Sequence, residues 1–223
     1  MNRLILAVDT THEHGSLALL RGDQLLEEVA LHAPTGFAHV LYRHLAELLD
    51  RHGVKPGDID CFAAASGPGS FTGVRVGLSC IKGLAEAVGK PAVGISNLQA
   101  IATFGTGGLR AATLDARRGE IYGAVYSADC RLVSTETVAP LDKWLAALPP
   151  GDLEFLSPDD LPIPNLRRVP RELAAAVARL AARSDPQDPA AIDANYVRRS
   201  DAELLWRDVT SPDPRSQSGS SNG

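Results

Sequence analysis

Four glycines between residues 66 and 78 form the group of residues most informative about chemistry. Gly67, Gly69, Gly73 and Gly77 follow an apolar run at 61–65 and lead into an amphipathic segment that ends at 88. This order predicts a buried strand, a tight turn and then a helix. Such a junction presents unpaired backbone N–H groups at the positive end of a helix dipole. It can hold a phosphate or carboxylate, or it can let another backbone segment come very close.

Counting the spacing excludes two familiar phosphate-binding motifs. The first three glycines are spaced G-x-G-x-x-x-G, one residue longer than the dinucleotide fingerprint. A P-loop needs Gly-Lys followed by Ser or Thr, whereas Gly89-Lys90 is followed by Pro91. The run therefore belongs to neither of the two common nucleotide-binding classes.

Histidines and cysteines give weaker signals. His12 and His14 are two residues apart in a predicted exposed turn, which rarely makes a metal site alone. His39 and His44 are five apart on a predicted helix and point in different directions, so they cannot chelate one ion. Cysteines occur at 61, 80 and 130 without C-x-x-C spacing or a neighbouring base, which indicates buried thiols rather than a nucleophile, a disulfide or a zinc site. We expect no metal and no cofactor.

The elements that position these residues repeat in two halves. Apolar runs and helical periodicity predict strands at 4–8, 16–20, 25–31, 61–65 and 92–95, with helices at 37–52, 71–88 and 97–104. After a Thr-Gly-Gly break at 106–108, they predict strands at 109–114, 120–126, 131–138, 153–156 and 166–169, with helices at 141–148 and 171–183. We therefore predict a two-lobed α/β protein with lobes at 1–105 and 106–206, a disordered tail at 207–223, and ligands between the lobes.

Composition narrows the classes of function. The 223 residues are 44% hydrophobic and 22% charged, with a net charge of −5, which is typical of a globular protein and poor for binding a polyanion. Any contact with RNA should therefore be indirect. No apolar stretch is long enough to span a bilayer, and the N-terminal run is too short for a signal peptide. We expect a cytoplasmic protein.

Four segments together resemble the TsaB (YeaZ) family of bacteria. They are ILAVDTT…GSLAL at the start, SGPGSFTGVRVGLSCIKGLA, LDARRGEIYGAVY and the late NYVRR. The family is the dimerisation subunit of the machinery that makes threonylcarbamoyladenosine in tRNA. The resemblance covers residues 3 to 203 and implies the actin-like (ASKHA) superfold, with duplicated ribonuclease H-like lobes of which the second is reduced.

The resemblance also implies indirect catalysis. TsaB looks like a paralogue of TsaD, the subunit that transfers the threonylcarbamoyl group to adenosine 37 of tRNA. TsaD holds a metal through a His-x-x-x-His pair, and the matching positions here are Asn97 and Ile101, which are poor metal ligands. We expect a non-catalytic scaffold subunit that binds a TsaD-like subunit, with a TsaE-like ATPase joining the assembly. The alternatives are an ATPase or phosphotransferase of the same superfold and a metallopeptidase-like protein.

Two sets of site residues follow. A weak, vestigial nucleotide or anion site would use the first strand's end, the glycine turn and a charged turn of the second lobe: Asp9, Thr10, Thr11, Gly67, Gly69, Ser70, Asp115 and Arg117. Asp9 could instead be a turn former, and Asp115 and Arg117 a solvated turn. The helix at 71–88 is apolar on more than one face, which predicts a partner interface formed with the preceding helix by Leu41, Leu45, Phe71, Gly73, Val74, Val76, Gly77, Cys80 and Ile81. The alternative is that the second helix packs against the first helix alone. A homodimer through this surface is expected when the partner is absent.

Overall fold

The computed structural model describes residues 2–197, and the predicted tail lies outside the described residues. Its first half is a five-stranded sheet in the order β3-β2-β1-β4-β5. The strands are β1 (Leu4–Asp9), β2 (His14–Arg21), β3 (Gln24–His32), β4 (Cys61–Gly67) and β5 (Ala92–Ser96). The first three form an antiparallel meander, whereas β4 and β5 run parallel to β1. β1 and β4 are buried along their whole length, because both faces of the sheet are covered.

Three α-helices accompany this sheet: α1 (Leu41–Arg51), α2 (Phe71–Val88) and α3 (Asn97–Ala102). Ser70 caps α2 by accepting a hydrogen bond from the backbone N–H of Gly73, and Gly89 ends the helix in a left-handed conformation with φ 66°. The predicted helix at 37–52 is interrupted. A separate 3-10 turn covers Phe37–His39, Val40 caps it with φ −113° and ψ −27°, and the α-helix begins only at Leu41.

The second sheet also has five strands, in the order β10-β9-β6-β7-β8. They are β6 (Leu109–Arg117), β7 (Glu120–Ser127), β8 (Thr137–Pro140), β9 (Leu153–Ser157) and β10 (Arg167–Arg168), with helices α4 (Leu141–Ala146) and α5 (Ala174–Ala181). The strand predicted at 131–138 is displaced: β8 begins only at Thr137, and Leu132 forms an isolated bridge with Tyr126. The Ser127 side chain bonds Asp129 and the backbone of Arg131 there, and these local bonds favour a turn over a strand.

Helix α5 connects the two halves. It follows the second sheet in the chain, yet it packs against β1, β2 and β4 of the first sheet. The backbone N–H of Ala174 donates to Ser16 Oγ, which anchors the helix start on β2. Buried alanines of α5 share one apolar cluster with Ile5 and Ala63 of the first sheet and Leu114 of the second. The core is therefore continuous across both sheets.

No helix within residues 2–197 combines the length and the apolar composition needed to cross a membrane.

Candidate functional site

The carboxyl ends of three neighbouring strands are tied together by side-chain hydrogen bonds. Asp9 Oδ1 accepts from the backbone N–H of Thr11 at 2.9 Å and from Thr11 Oγ1 at 2.7 Å. Asn97 Nδ2 donates to the same hydroxyl at 2.7 Å, and Asn97 Oδ1 accepts from the N–H of Gly67 at 3.0 Å. The ends of β1, β4 and β5 are thus linked through one buried network, at the sheet edge where ligands of open α/β folds bind.

Asn97 and Ile101 do not fit a metal. Both side chains are fully buried, the Asn97 amide is engaged at both ends, and Ile101 lies in the apolar core. Within residues 2–197 no three His, Cys, Asp or Glu side chains are grouped closely enough to hold an ion. His14, considered with His12 above, instead contacts His32 on the next strand, with 3.2 Å between their Nδ1 atoms.

Asp9 is the electrostatically unusual residue of the network. It is 1% exposed, and its second oxygen, Oδ2, has no hydrogen-bond partner among the described residues. Burial raises the pKa of this carboxyl above its ordinary value, although nearby His12 and the bonds from Thr11 and Asn97 oppose the shift. A carboxylate held this way is costly to ionise.

The glycines of the turn leave room for another backbone segment of the same chain to approach closely. A Cβ at Gly69 would lie 2.6 Å from the carbonyl oxygen of Thr11, and one at Gly73 would come closer still to the carbonyl oxygen of Thr10. The N–H of Ser70 donates to that Thr11 oxygen at 2.7 Å, and Thr10 Oγ1 donates to the carbonyl of Gly73 at 2.8 Å. Of the two roles that the sequence left open for these glycines, close backbone approach is the one observed.

A cavity of about 520 Å³ separates the two halves at this edge. Five of the eight predicted anion-site residues line it: Thr11, Gly69 and Ser70 from the first lobe, and Asp115 and Arg117 from the second. Asp9, Thr10 and Gly67 do not. The remaining lining residues are His12, Glu13, Ala116, Tyr122, Asp159, Asp160 and Arg171.

The cavity is richer in carboxylates than in guanidinium groups. Asp159 accepts from the N–H of Asp115 at 2.9 Å and pairs with Arg171 at 3.3 Å, while Arg117 lies 3.9 Å from Asp115. Both arginines of the lining therefore already face a carboxylate. Sequence reasoning missed Asp159, because it lies in an irregular, proline-rich stretch without a periodic signal. It also missed Arg171, because that residue was assigned only as the start of a predicted helix.

The hairpin between β6 and β7 projects the predicted charged turn into this cavity. Arg117, Arg118 and Gly119 all have positive φ, at 66°, 56° and 78°. Side chains with a Cβ seldom adopt this left-handed conformation. The turn therefore holds Arg117 at the cavity wall by an unusual backbone path.

Most of the predicted partner interface is covered by the chain itself. Six of its nine residues, Leu41, Leu45, Val74, Gly77, Cys80 and Ile81, are buried in the apolar cluster that α1, α2 and the sheet share. These six residues are covered within the single chain: α2 packs on β4, β1 and β5 and also meets the short turns at Phe37–His39, Pro56–Asp58 and Pro189–Ala191. The predicted interface therefore stays a proposal for the exposed residues of α2. Phe71 is 43% exposed, and Gly73 and Val76 are half-buried.

All three cysteines are buried. Burial raises the pKa of Cys61 to about 11, and burial likewise raises that of Cys80 to about 11 despite a hydrogen bond from Tyr42. Thiolates are therefore scarce at neutral pH at both positions.

The outer face of α2 carries a different set of exposed residues. Arg75 and Ser79 face solvent one turn apart, next to Phe71. The Arg75 guanidinium lies 3.8 Å above the Phe71 ring, and its Nε donates to the hydroxyl of Tyr196 at 2.9 Å. Tyr196, 46% exposed, also packs on Phe71 with 5.5 Å between ring centroids. We call Phe71, Arg75 and Tyr196 the aromatic cluster. Sequence reasoning noted Tyr196 only as part of a motif and missed Arg75, because helical periodicity identifies buried faces rather than exposed ones.

Comparisons with known proteins agree on one family. A family model described as "TsaD: tRNA N6-adenosine threonylcarbamoyltransferase" matches residues 32–156, more than half of the chain. The tRNA threonylcarbamoyladenosine biosynthesis protein TsaB of Bacillus subtilis is 33% identical over 71% of this chain and 68% of its own length. The chain belongs to the TsaB (YeaZ) family.

Two further relatives define the extent of the match. TsaB of Escherichia coli is 36% identical, but the alignment covers 56% of this chain and only 55% of the relative. The structure of YeaZ from Pseudomonas aeruginosa superposes with a TM-score of 0.74 at 27% identity, over 87% of this chain and 99% of that one. Together with the two five-stranded sheets, this match confirms the predicted duplicated ribonuclease H-like fold of the actin-like class.

Proposed function

We propose that the chain is a non-catalytic subunit that supports formation of threonylcarbamoyladenosine in tRNA by binding a TsaD-like transferase. Two relatives above carry names from this biosynthesis. The observation that carries the non-catalytic part is Asn97. Its amide closes the strand-end network where a transferase of this superfold would need a metal ligand, and Ile101 beside it offers no lone pair.

The partner would dock on the outer face of α2 rather than on its buried faces. Phe71, Tyr196 and, from α1, Tyr42 at 59% exposure are large hydrophobic side chains exposed in this region. Aromatic residues and arginine are the side chains that most often dominate protein interfaces. In a partner's absence, a second copy of the chain would cover the same face. A TsaE-like ATPase would then join the assembled pair.

Contact with tRNA would be made by the partner. The arginines of the second lobe mostly face carboxylates: Arg131 lies 2.8 Å from Asp129, and Arg167 lies 2.8 Å from Glu154. Neutralised arginines release few counterions from a polyanion. With a net charge of −5, this chain has little surface with which to attract a nucleic acid.

Binding of the TsaD-like subunit from the same organism tests the proposal. We expect the purified chains to associate, and Phe71→Glu or Ser79→Glu to weaken the affinity about tenfold or more, because each places an uncompensated charge in the interface. Leu132→Glu is the matched control, since Leu132 is 53% exposed but lies in the second lobe. Gly77 is unsuitable, because a side chain there would meet Thr10 Oγ1 at 2.6 Å and disturb the fold. Equal affinity for all three variants would place the interface elsewhere.

A second experiment tests the role in modification. Deleting the gene should remove threonylcarbamoyladenosine from tRNA, measured by mass spectrometry of nucleosides, and the unaltered gene should restore it. Asp9→Asn should restore it equally, because a scaffold needs no ionised Asp9. Loss of the modification with Asp9→Asn, despite normal folding and partner binding, would favour an enzyme. Magnesium-dependent ATP hydrolysis or a tightly bound metal in the purified chain would favour the ATPase or metallopeptidase alternatives.

A further inference from the structure

Glu136 joins three parts of the molecule that are distant in sequence. Its Oε1 accepts from Ser96 Oγ at the start of α3 and from the hydroxyl of Tyr126 on β7, each at 2.5 Å. Its Oε2 accepts from Asn195 Nδ2, also at 2.5 Å. One carboxylate of the second lobe thereby contacts the first lobe and the last described segment. Neither the cleft nor the proposed docking face uses it.

Asn195 is the centre of that last segment. Its backbone N–H donates to the carbonyl of Ser66 at the end of β4, at 2.8 Å, while its side chain reaches Glu136. Ile192, three residues earlier, is 2% exposed within the apolar cluster shared with α2. Tyr196, which directly follows Asn195 in the chain, lies in the aromatic cluster. Asn195 therefore fixes the backbone immediately before the tyrosine that reaches Arg75.

We propose that Glu136 is a positioning residue for partner binding: by holding Asn195, it places Tyr196 against Phe71 and Arg75 on the docking face. The inference rests on the proposed function, since it concerns the same face of α2. Without the carboxylate, the Asn195 side chain loses its acceptor, and Asn195 keeps two backbone hydrogen bonds, its N–H to Ser66 and its carbonyl from the N–H of Val197. Tyr196 is half-exposed, so burial alone does little to keep it in place.

This arrangement links the second lobe to the docking face. The Tyr126 hydroxyl that Glu136 accepts from belongs to a side chain 2% exposed in the continuous core. A shift of β7 relative to α3 would move Glu136, and Asn195 with it. The position of the aromatic cluster therefore depends on the relative placement of the two lobes, although the cluster itself lies outside the cleft.

Hydrogen exchange of the isolated chain tests directly whether Glu136 fixes the segment around Asn195. Glu136→Ala and Asn195→Ala should raise the exchange rates of the Asn195, Tyr196 and Val197 amides about tenfold, while amides of α5 keep their rates. Asp129→Ala is the matched control, because that carboxylate lies in the same loop but, within residues 2–197, bonds Ser127 and Arg131 rather than Asn195. Unchanged exchange in Glu136→Ala would overturn the proposal.

Affinity for the TsaD-like subunit tests the consequence. Glu136→Ala should weaken binding about tenfold, and Tyr196→Ala by at least as much. In the double variant, loss of Glu136 should add no more than about twofold, because it acts through Tyr196. An equal further loss in the Tyr196→Ala background would overturn the positioning role and leave a structural one. If the unaltered chain does not bind the TsaD-like subunit, the proposed function fails, and the affinity part of this inference fails with it. The hydrogen-exchange result still shows whether Glu136 fixes Asn195.

Discussion

The inner and outer sides of α2 have different surroundings, although both carry glycines. On the inner side, Gly69 and Gly73 touch the backbone of Thr10 and Thr11, so that the helix start and the end of β1 form one packed unit. On the outer side, Gly83 has open space around it, and the aromatic cluster faces solvent. At the inner side the glycines pack against the chain's own backbone, and the cavity beside them is lined by more carboxylates than guanidinium groups. The outer side is the face that we propose for the partner.

The largest difference between the two sides is expected when one methyl group is added on each side. Gly73→Ala should lower the free energy of unfolding by about 3 kcal/mol, because its Cβ would overlap a backbone carbonyl that cannot move aside. Gly83→Ala, the matched control on the same helix, should raise that free energy by about 0.5–1 kcal/mol, since alanine loses less backbone entropy. Denaturant unfolding measures both. Equal effects at the two positions would show that Gly73 is not needed for the close approach.

Removing the amide of the strand-end network should have the next largest effect. Asn97→Ala leaves the N–H of Gly67 and the hydroxyl of Thr11 short of a buried partner, and should cost about 2 kcal/mol of unfolding free energy. Gln99→Ala, which removes one half-buried amide bond to the carbonyl of Cys130, should cost about 1 kcal/mol or less. If both substitutions cost the same, the network does not hold the strand ends together.

Asp9 allows a smaller, pH-dependent comparison. Its folded-state pKa is raised above the ordinary value of 3.8, so the folded state binds this proton more tightly than the unfolded state does. The stability linked to Asp9 is therefore complete below pH 3.8 and is lost as the pH rises through the folded-state pKa. Asp9→Asn keeps the acceptor for Thr11 without a charge, so it should be more stable than the unaltered chain at pH 7. That difference should shrink as the pH is lowered towards 4.

Unfolding curves of both proteins at several pH values decide the matter. If the Asp9→Asn variant is less stable than the unaltered chain at pH 7, the ionised carboxylate of Asp9 must be stabilised by a group other than a hydrogen-bond partner of Oδ2. Asp58→Asn offers an exposed control, because that carboxylate accepts from the N–H of Lys55 at the surface.

How far the sequence could be interpreted differs between the two sides of α2 for physical reasons. The bounds of α2 follow from local signals, a serine cap and a terminal glycine, and they agree with the structure residue for residue. Which apolar face remains open does not follow, because the residues that cover α2 come from the sheet and from short turns at Phe37–His39, Pro56–Asp58 and Pro189–Ala191, which are distant in sequence. The same limit hid Tyr196 and Glu136, whose roles arise only where three separate segments meet.

The cleft provides the smallest expected effect. ATP should give no saturable heat in calorimetry below about 1 mM, with or without Mg²⁺, because carboxylates outnumber guanidinium groups in the cavity lining. A vestigial site would instead give weak heat that Arg117→Ala abolishes, since that side chain lines the cavity from the second lobe. Arg131→Ala removes a guanidinium outside the cavity and serves as the control. Saturation at micromolar ATP would mean that the cleft still binds nucleotide, and the two sides of α2 would then both be functional surfaces.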